Sequence, residues 1–155
     1  MQLPRMTWPH AGAAVAVPGV VMPLEIVHAA FAALNERRLD DYLDLYDDAL
    51  VCHDLIHGPG WGRLAVAEQV QAMLAAFPDA RLEVDVEPEA ASQVVVHFTF
   101  SGTHQGALDG RAPTGKHLCF EGRMELRLAG DAVVERWSNL PIELKLQIDA
   151  AQLAA

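Results

Sequence analysis

The chain has 155 residues, a net charge of −10 and a pI near 5.0, and 52% of its residues are apolar. That length fits a single domain with a packed core, and the acidic balance speaks against nucleic acid and anionic membrane surfaces as partners. No apolar run approaches the ~20 residues of a membrane span. Segment 11–22 is short, interrupted by Pro18 and without a strongly basic start, so it does not read as a signal peptide and a cytoplasmic protein is expected. The two cysteines, Cys52 and Cys119, lack CxxC spacing and read as buried thiols rather than a disulfide framework.

Residues 1–22 hold three prolines and two glycines and are expected to form an extended or disordered arm before a single domain over 23–155. Pro23 suits the first turn of a helix. Leu24, Val27, Phe31 and Leu34 then give a stripe at helical spacing, and Asn35 ends it. A second, shorter helix begins near Asp40 with Leu39, Tyr42, Leu43 and Tyr46 facing inward. A short strand is expected over 50–54 and a glycine-rich loop over 56–62. A third helix from Arg63 to Phe77 carries Val66, Val70, Met73, Leu74 and Phe77 on one stripe, and Pro78 stops it.

The second half alternates with period 2. Leu82, Val84 and Val86 form one strand, and Val94, Val96, Phe98 and Phe100 the next. Leu118, Phe120, Met124, Leu126 and Leu128 share a face of the third, and a turn at Gly130 and Asp131 leads to a last strand over 132–139. Leu144 and Ile148 mark a C-terminal helix. Helices followed by an antiparallel meander predict an α+β fold, in which the sheet needs helices on one face.

Between the second and third of these strands lies GTHQGALDGRAPTGKHLCFEG, residues 102–122. Together with the turn at Gly130 and the run Glu135, Arg136, Trp137, it resembles the SnoaL-like polyketide cyclases of the nuclear-transport-factor-two-like superfamily. The resemblance spans residues 23–148. It implies a cone-shaped barrel, in which a curved, mostly antiparallel sheet wraps three N-terminal helices and a C-terminal helix follows. It also implies a homodimer and no metal or organic cofactor. Ring-closing members carry an acid/base aspartate four residues after the final-strand tryptophan; here that position is Pro141. Position 124, often acidic in relatives, is Met124.

With that aspartate absent, the chemistry falls to other polar groups facing the expected cavity. His104 shares strand parity with Phe98 and Phe100 and is a candidate general base; the alternative is a structural histidine of the turn. His53 ends the first strand, and His57 sits in the glycine loop. Their placement with His104 does not suggest a metal site. Asn139 shares a strand face with Trp137 and is a candidate to orient a substrate oxygen. Tyr42 and Tyr46 offer hydroxyls, Trp61 a pocket edge, and Phe98, Phe120 and Met124 an apolar wall. The leading expectation is a cofactor-independent cyclase, dehydratase or isomerase acting on a small apolar polyketide-like carbonyl compound. The alternatives are a non-catalytic ligand-binding or dimeric accessory protein, and an epoxide hydrolase. The last wants an inward Asp–Arg pair, which the strands do not suggest.

Overall fold

The structure, a computed structural model, describes residues 23–54 and 58–154. The expected arm over 1–22 lies outside the described residues. Helix α1 (Pro23–Asn35) is followed by α2 (Leu39–Leu43), then strands β1 (Tyr46–Asp54) and β2 (Gly58–Trp61) and helix α3 (Gly62–Ala76). Strands β3 (Arg81–Ala90), β4 (Gln93–Thr103), β5 (His117–Ala129) and β6 (Ala132–Ser138) come next, and α4 (Leu140–Leu153) ends the fold. The six strands form one sheet in the order β2-β1-β6-β5-β4-β3. All neighbours are antiparallel except β1 and β6, which run parallel. The architecture is the expected α+β one, and the sheet is left open, with β2 and β3 at its edges. Helix α1 packs against β3 and α3 against β1, so helices rather than a last strand pairing complete the enclosure.

Alternation in the sequence accounts for the core. Val94, Val96, Phe98 and Phe100 of β4 are buried, as are Leu118, Phe120, Met124, Leu126 and Leu128 of β5. Val27, Phe31 and Leu34 of α1 and Val66, Val70 and Met73 of α3 meet this inner face. Two boundaries differ from the sequence expectation. Helix α2 stops at Leu43, and Tyr46 opens β1 instead of closing a helix. Asp47 Oδ1 accepts the Ala49 amide at 2.8 Å, a local turn that competes with helix at this point. The glycine loop contributes β2, because the backbone of residues 58–61 pairs along β1.

The consequential irregularity lies in β6. Leu128 pairs with Val133, but Arg127 pairs with Glu135, so Val134 is an extra residue in the ladder. An unbroken hairpin register from Ala129 and Ala132 would set Trp137 opposite Met124 on the inner face. The bulge moves Ser138 to that place and sets Arg136 opposite the inward Leu126. Asn139 therefore falls just past the strand, at the N-cap position of α4. Its Oδ1 accepts the Arg123 amide at 2.9 Å.

Gly122 makes that closure possible. It faces Phe98 across β4, and a methyl group there would sit 2.2 Å from Phe98 Cζ and 2.8 Å from Asn139 Oδ1. Gly122→Ala should lower unfolding stability by roughly 1–3 kcal/mol through overpacking, read as a drop in the urea midpoint. An unchanged midpoint would mean that Phe98 moves aside freely.

Candidate functional site

A cavity of about 470 Å³ lies between the helices and the inner sheet face. Leu34, Val70, Met73, Leu82, Leu108 and Leu144 give it an apolar wall. Its polar groups come from five places in the chain: Tyr42 of α2, Cys52 of β1, Gln69 of α3, Arg136 of β6 and Lys145 of α4. Glu68 and Asp109 bring carboxylates to the same lining. The volume falls in the range of small-molecule sites.

Arg136 dominates the electrostatics. It is 4% exposed, and its Nη1 donates to Gln69 Oε1 at 3.1 Å. Its Cζ lies 5.8 Å from the Tyr46 ring centroid, a cation–π distance. The Nε–H is buried without a hydrogen-bond partner among the described residues. Burial opposes its charge, but Tyr46, Tyr42 and Cys52 around it more than offset that, and its pKa lies above the ordinary arginine value. It is a permanent cation on the cavity wall. Cys52 is its register neighbour on β1 and is 3% exposed.

Tyr42 and Tyr46, both fully buried, bring their hydroxyls within 2.6 Å of each other. Burial raises both pKa values, that of Tyr46 strongly, and Arg136 only partly counters this. Both hydroxyls therefore keep their protons at neutral pH and act as donors. Arg63 Nε donates to the Tyr46 carbonyl at 3.1 Å, which ties the start of α3 to β1.

The other candidates from the sequence lie elsewhere. His53 and Trp137 stack at 4.6 Å on the outer sheet face, where His53 Nε2 meets Glu135 Oε2 at 2.9 Å. Arg127 donates to the other Glu135 oxygen at 2.7 Å. Burial pushes the Glu135 carboxyl up, but these two partners outweigh it and hold it below the usual value. Trp137 is thus not an inward residue, and it shares no inner face with Asn139, whose side chain is engaged by the β5 backbone. The cause is the extra residue Val134. Phe98, Phe120 and Met124 are core residues outside the cavity lining; Phe120 stacks on Phe100 at 5.0 Å. His57 and the side chain of Trp61 lie outside the described residues. Pro141 does line the cavity, so the position that the resemblance gives to the acid/base is in place but carries no acid.

His104 is fully buried, yet it is not in the cavity lining. Its ring stacks on Phe77 at 5.1 Å, and its Nδ1 accepts the Thr114 amide at 3.1 Å. A neutral ring accepting at Nδ1 carries its proton on Nε2. The backbone of the turn supports the same arrangement. His104 donates to the Lys116 carbonyl, Gly115 donates to the His104 carbonyl, and Gln105 and Gly106 both donate to the Ala76 carbonyl at the end of α3. A methyl on Gly106 would sit 2.3 Å from the Ala75 carbonyl oxygen, so only glycine allows this approach. The turn continues to Asp109, which pairs with Lys145 at 2.8 Å, and to Arg111, which pairs with Asp149. Lys116 Nζ donates to the Ala151 carbonyl at 2.6 Å. The histidine organises the turn, and the turn delivers Leu108 and Asp109 to the cavity. Sequence reasoning missed Arg136 and Gln69. The one available signal was that Arg136 belongs to the short polar run beside Trp137.

An open, curved sheet wrapped on helices around a largely apolar cavity with a few converging polar groups defines an α+β fold of the cone-shaped kind. The model of the SnoaL-like polyketide cyclase family matches residues 25–140, and the chain belongs to that family. AclR from Streptomyces galilaeus, provisionally named a hydroxylase, is similar at 26% identity over 80% of each chain, with a TM-score of 0.67. IdmH from Streptomyces antibioticus, provisionally named a polyketide cyclase, is similar at 22% identity over 85% of this chain and 99% of that one, with a TM-score of 0.68. A provisionally named polyketide cyclase from Xanthomonas campestris is 20% identical over 81% of this chain and 96% of its own, with a TM-score of 0.67. No curated protein matches the chain. Among the described residues no helix is long and apolar enough to cross a membrane.

The buried His104 gives a pH dependence of stability. Burial lowers its pKa, and a backbone contact at Gly106 only partly restores it. Below about pH 6.5 the unfolded chain takes up a proton that folded His104 resists. Its contribution is therefore complete above that pH and is lost as pH falls. Urea midpoints at about pH 7.5 and 5.5 should fall further for the parent chain than for His104→Gln; equal falls would show that His104 does not titrate with unfolding.

Proposed function

We propose that the chain holds an apolar, polyketide-like carbonyl compound in this cavity and catalyses cofactor-independent proton transfer on it, of the kind used in ring closure, dehydration or isomerisation. The observation that carries this reading is Arg136, a buried guanidinium on the wall of a largely apolar cavity. A carbonyl oxygen in the cavity would meet the guanidinium, and an enolate oxygen would also offset its charge. Interactions that strengthen as negative charge develops are those that accelerate a reaction.

With Tyr46 donating to Tyr42, the Tyr42 proton is presented to the same oxygen, and Tyr42 is the member of the pair on the cavity lining. The proton next to the carbonyl goes to a cavity carboxylate, Glu68 or Asp109. Asp109 is paired with Lys145 at 2.8 Å. The histidines take no part in this scheme. The family membership supports a polyketide-like substrate, and the volume suits one or two fused rings.

A second reading, a protein that binds such a compound without turning it over, draws on Pro141, which occupies the cavity wall where ring-closing relatives carry their acid/base. An epoxide hydrolase reading is weaker, because Arg136 is met by the amide Gln69 rather than by a carboxylate.

Exchange of the α-protons of 2-tetralone in heavy water, followed by proton NMR, tests the proposal. The parent chain should accelerate exchange, Arg136→Met should cut the acceleration roughly 100-fold, and either Glu68→Gln or Asp109→Asn should abolish it. Tyr42→Phe should cost on the order of 10-fold. Binding of 2-tetralone with exchange no faster than in buffer would favour the binding protein instead.

A further inference from the structure

We propose that Cys52 is a nucleophilic thiol of this cavity, which adds covalently to α,β-unsaturated carbonyl compounds whose oxygen is held by Arg136. The inference rests on the reading of the cavity as a carbonyl site. Three observations bring it about. Cys52 is buried in a strand, yet it lines a cavity large enough for a small cyclic enone. Its register neighbour on the parallel strand is Arg136, and the thiol lies close enough to help hold the guanidinium in its charged form. Arg136 and Cys52 both line the cavity, so a cation for the ligand's oxygen and the sulfur nucleophile share one wall.

Two effects meet at the sulfur: the neighbouring guanidinium favours a thiolate, and burial opposes it. Arg136 of β6 is surrounded by three weak acids, Tyr42 of α2, Tyr46 of β1 and Cys52 of β1. With all three protonated, the cluster carries a net positive charge, and losing one proton neutralises it. A thiol starts about 1.5 pH units more acidic than a phenol; burial moves both phenols up and disfavours a buried thiolate as well, so the starting difference is what sets sulfur apart. The remaining charged groups on the cavity are Glu68 of α3, Asp109 of the turn, and Lys145 of α4, which pairs with Asp109. An adjacent guanidinium lowers a thiol's pKa, and the thiolate is the reactive form.

The addition needs no other reactant. Cys52 Sγ bonds to the β-carbon of the enone, and the C=C electron pair moves through the carbonyl to leave an enolate oxygen against Arg136. The proton released from the thiol ends on the α-carbon, so S–H has added across the double bond with no oxidation or reduction. Cys119 is exposed and serves as an ordinary thiol for comparison.

Intact-mass and peptide mass spectrometry of the folded chain with 2-cyclohexen-1-one tests this. Single-thiol chains, Cys119→Ser and Cys52→Ser, separate the two sites. At neutral pH Cys52 should be modified about ten-fold faster than the exposed Cys119, with a rate–pH midpoint below about 8.5. Saturated cyclohexanone should slow Cys52 and leave Cys119 alone, and Arg136→Met should remove the acceleration. Should Arg136→Met fail to fold, the parent-chain comparison of the two thiols with and without cyclohexanone carries the test. Modification confined to Cys119, or a Cys52 rate that neither cyclohexanone nor Arg136→Met changes, would overturn the inference. Exchange of 2-tetralone by the Cys119→Ser chain is read separately: exchange with a silent Cys52 sinks only the covalent step, and a reactive Cys52 without exchange sinks only the proton-transfer reading.

Discussion

One extra residue in the last strand decides what this cavity can do. Because side chains alternate along a strand, a single insertion exchanges the two faces of everything beyond it. Val134 is that residue. Before it, Val133 faces the core; beyond it, Arg136 and Ser138 face inward and Trp137 faces out. Arg136 then meets Cys52 across the parallel pairing with β1, and Gln69 from α3. The outward residues are accounted for by the same shift. Trp137 stacks on His53, and Glu135 joins His53 and Arg127 in a surface network.

A buried guanidinium is costly unless its charge and its five N–H donors are met. Here the compensation is partial: an amide oxygen, an aromatic face, two phenols and a thiol, with no carboxylate in contact with it in the described network. A carboxylate in that place would neutralise the charge and leave nothing for a ligand. An arrangement serving stability alone would replace the cation with an apolar residue of similar size, since such replacements are neutral or favourable in other proteins. A cation only partly compensated in a cavity wall fits a site whose last partner arrives with the ligand.

Much of the fold was legible in the sequence because it depends on repeated local signals. The period-2 runs of β3, β4 and β5 and the stripes of α1 and α3 put the correct residues in the core. The tyrosine pair was also legible as a source of hydroxyls, although Tyr46 reaches Tyr42 from a strand rather than from the next turn of one helix. The site was less legible, for two physical reasons. A bulge leaves no compositional mark, so continuing the hairpin register gave Trp137 the inward place that Arg136 holds. A strand-end histidine can face a cavity or a backbone amide, and parity does not distinguish the two. At His104 the Thr114 amide is the partner.

That outcome separates what the turn signature does from what the cavity does. Gly102 and Gly106 let the turn approach Phe77 and Ala75, and His104 and Thr114 hold its two arms together. Gly122 and Asn139 lock β5 to the start of α4. These contacts are steric and backbone-directed, so they are needed by the fold whatever compound the cavity accepts. The chemistry depends on side chains with no such duty. Position 141 itself carries no ionisable group, while Arg136, on β6, supplies a cation to the same lining. An acid/base at 141 would move a proton itself, whereas in the proposed reaction a cation on β6 would stabilise the anion that proton removal leaves behind. A site organised around Arg136 therefore needs its proton acceptor elsewhere, and the turn that His104 holds in shape is the segment that brings Asp109 to the lining.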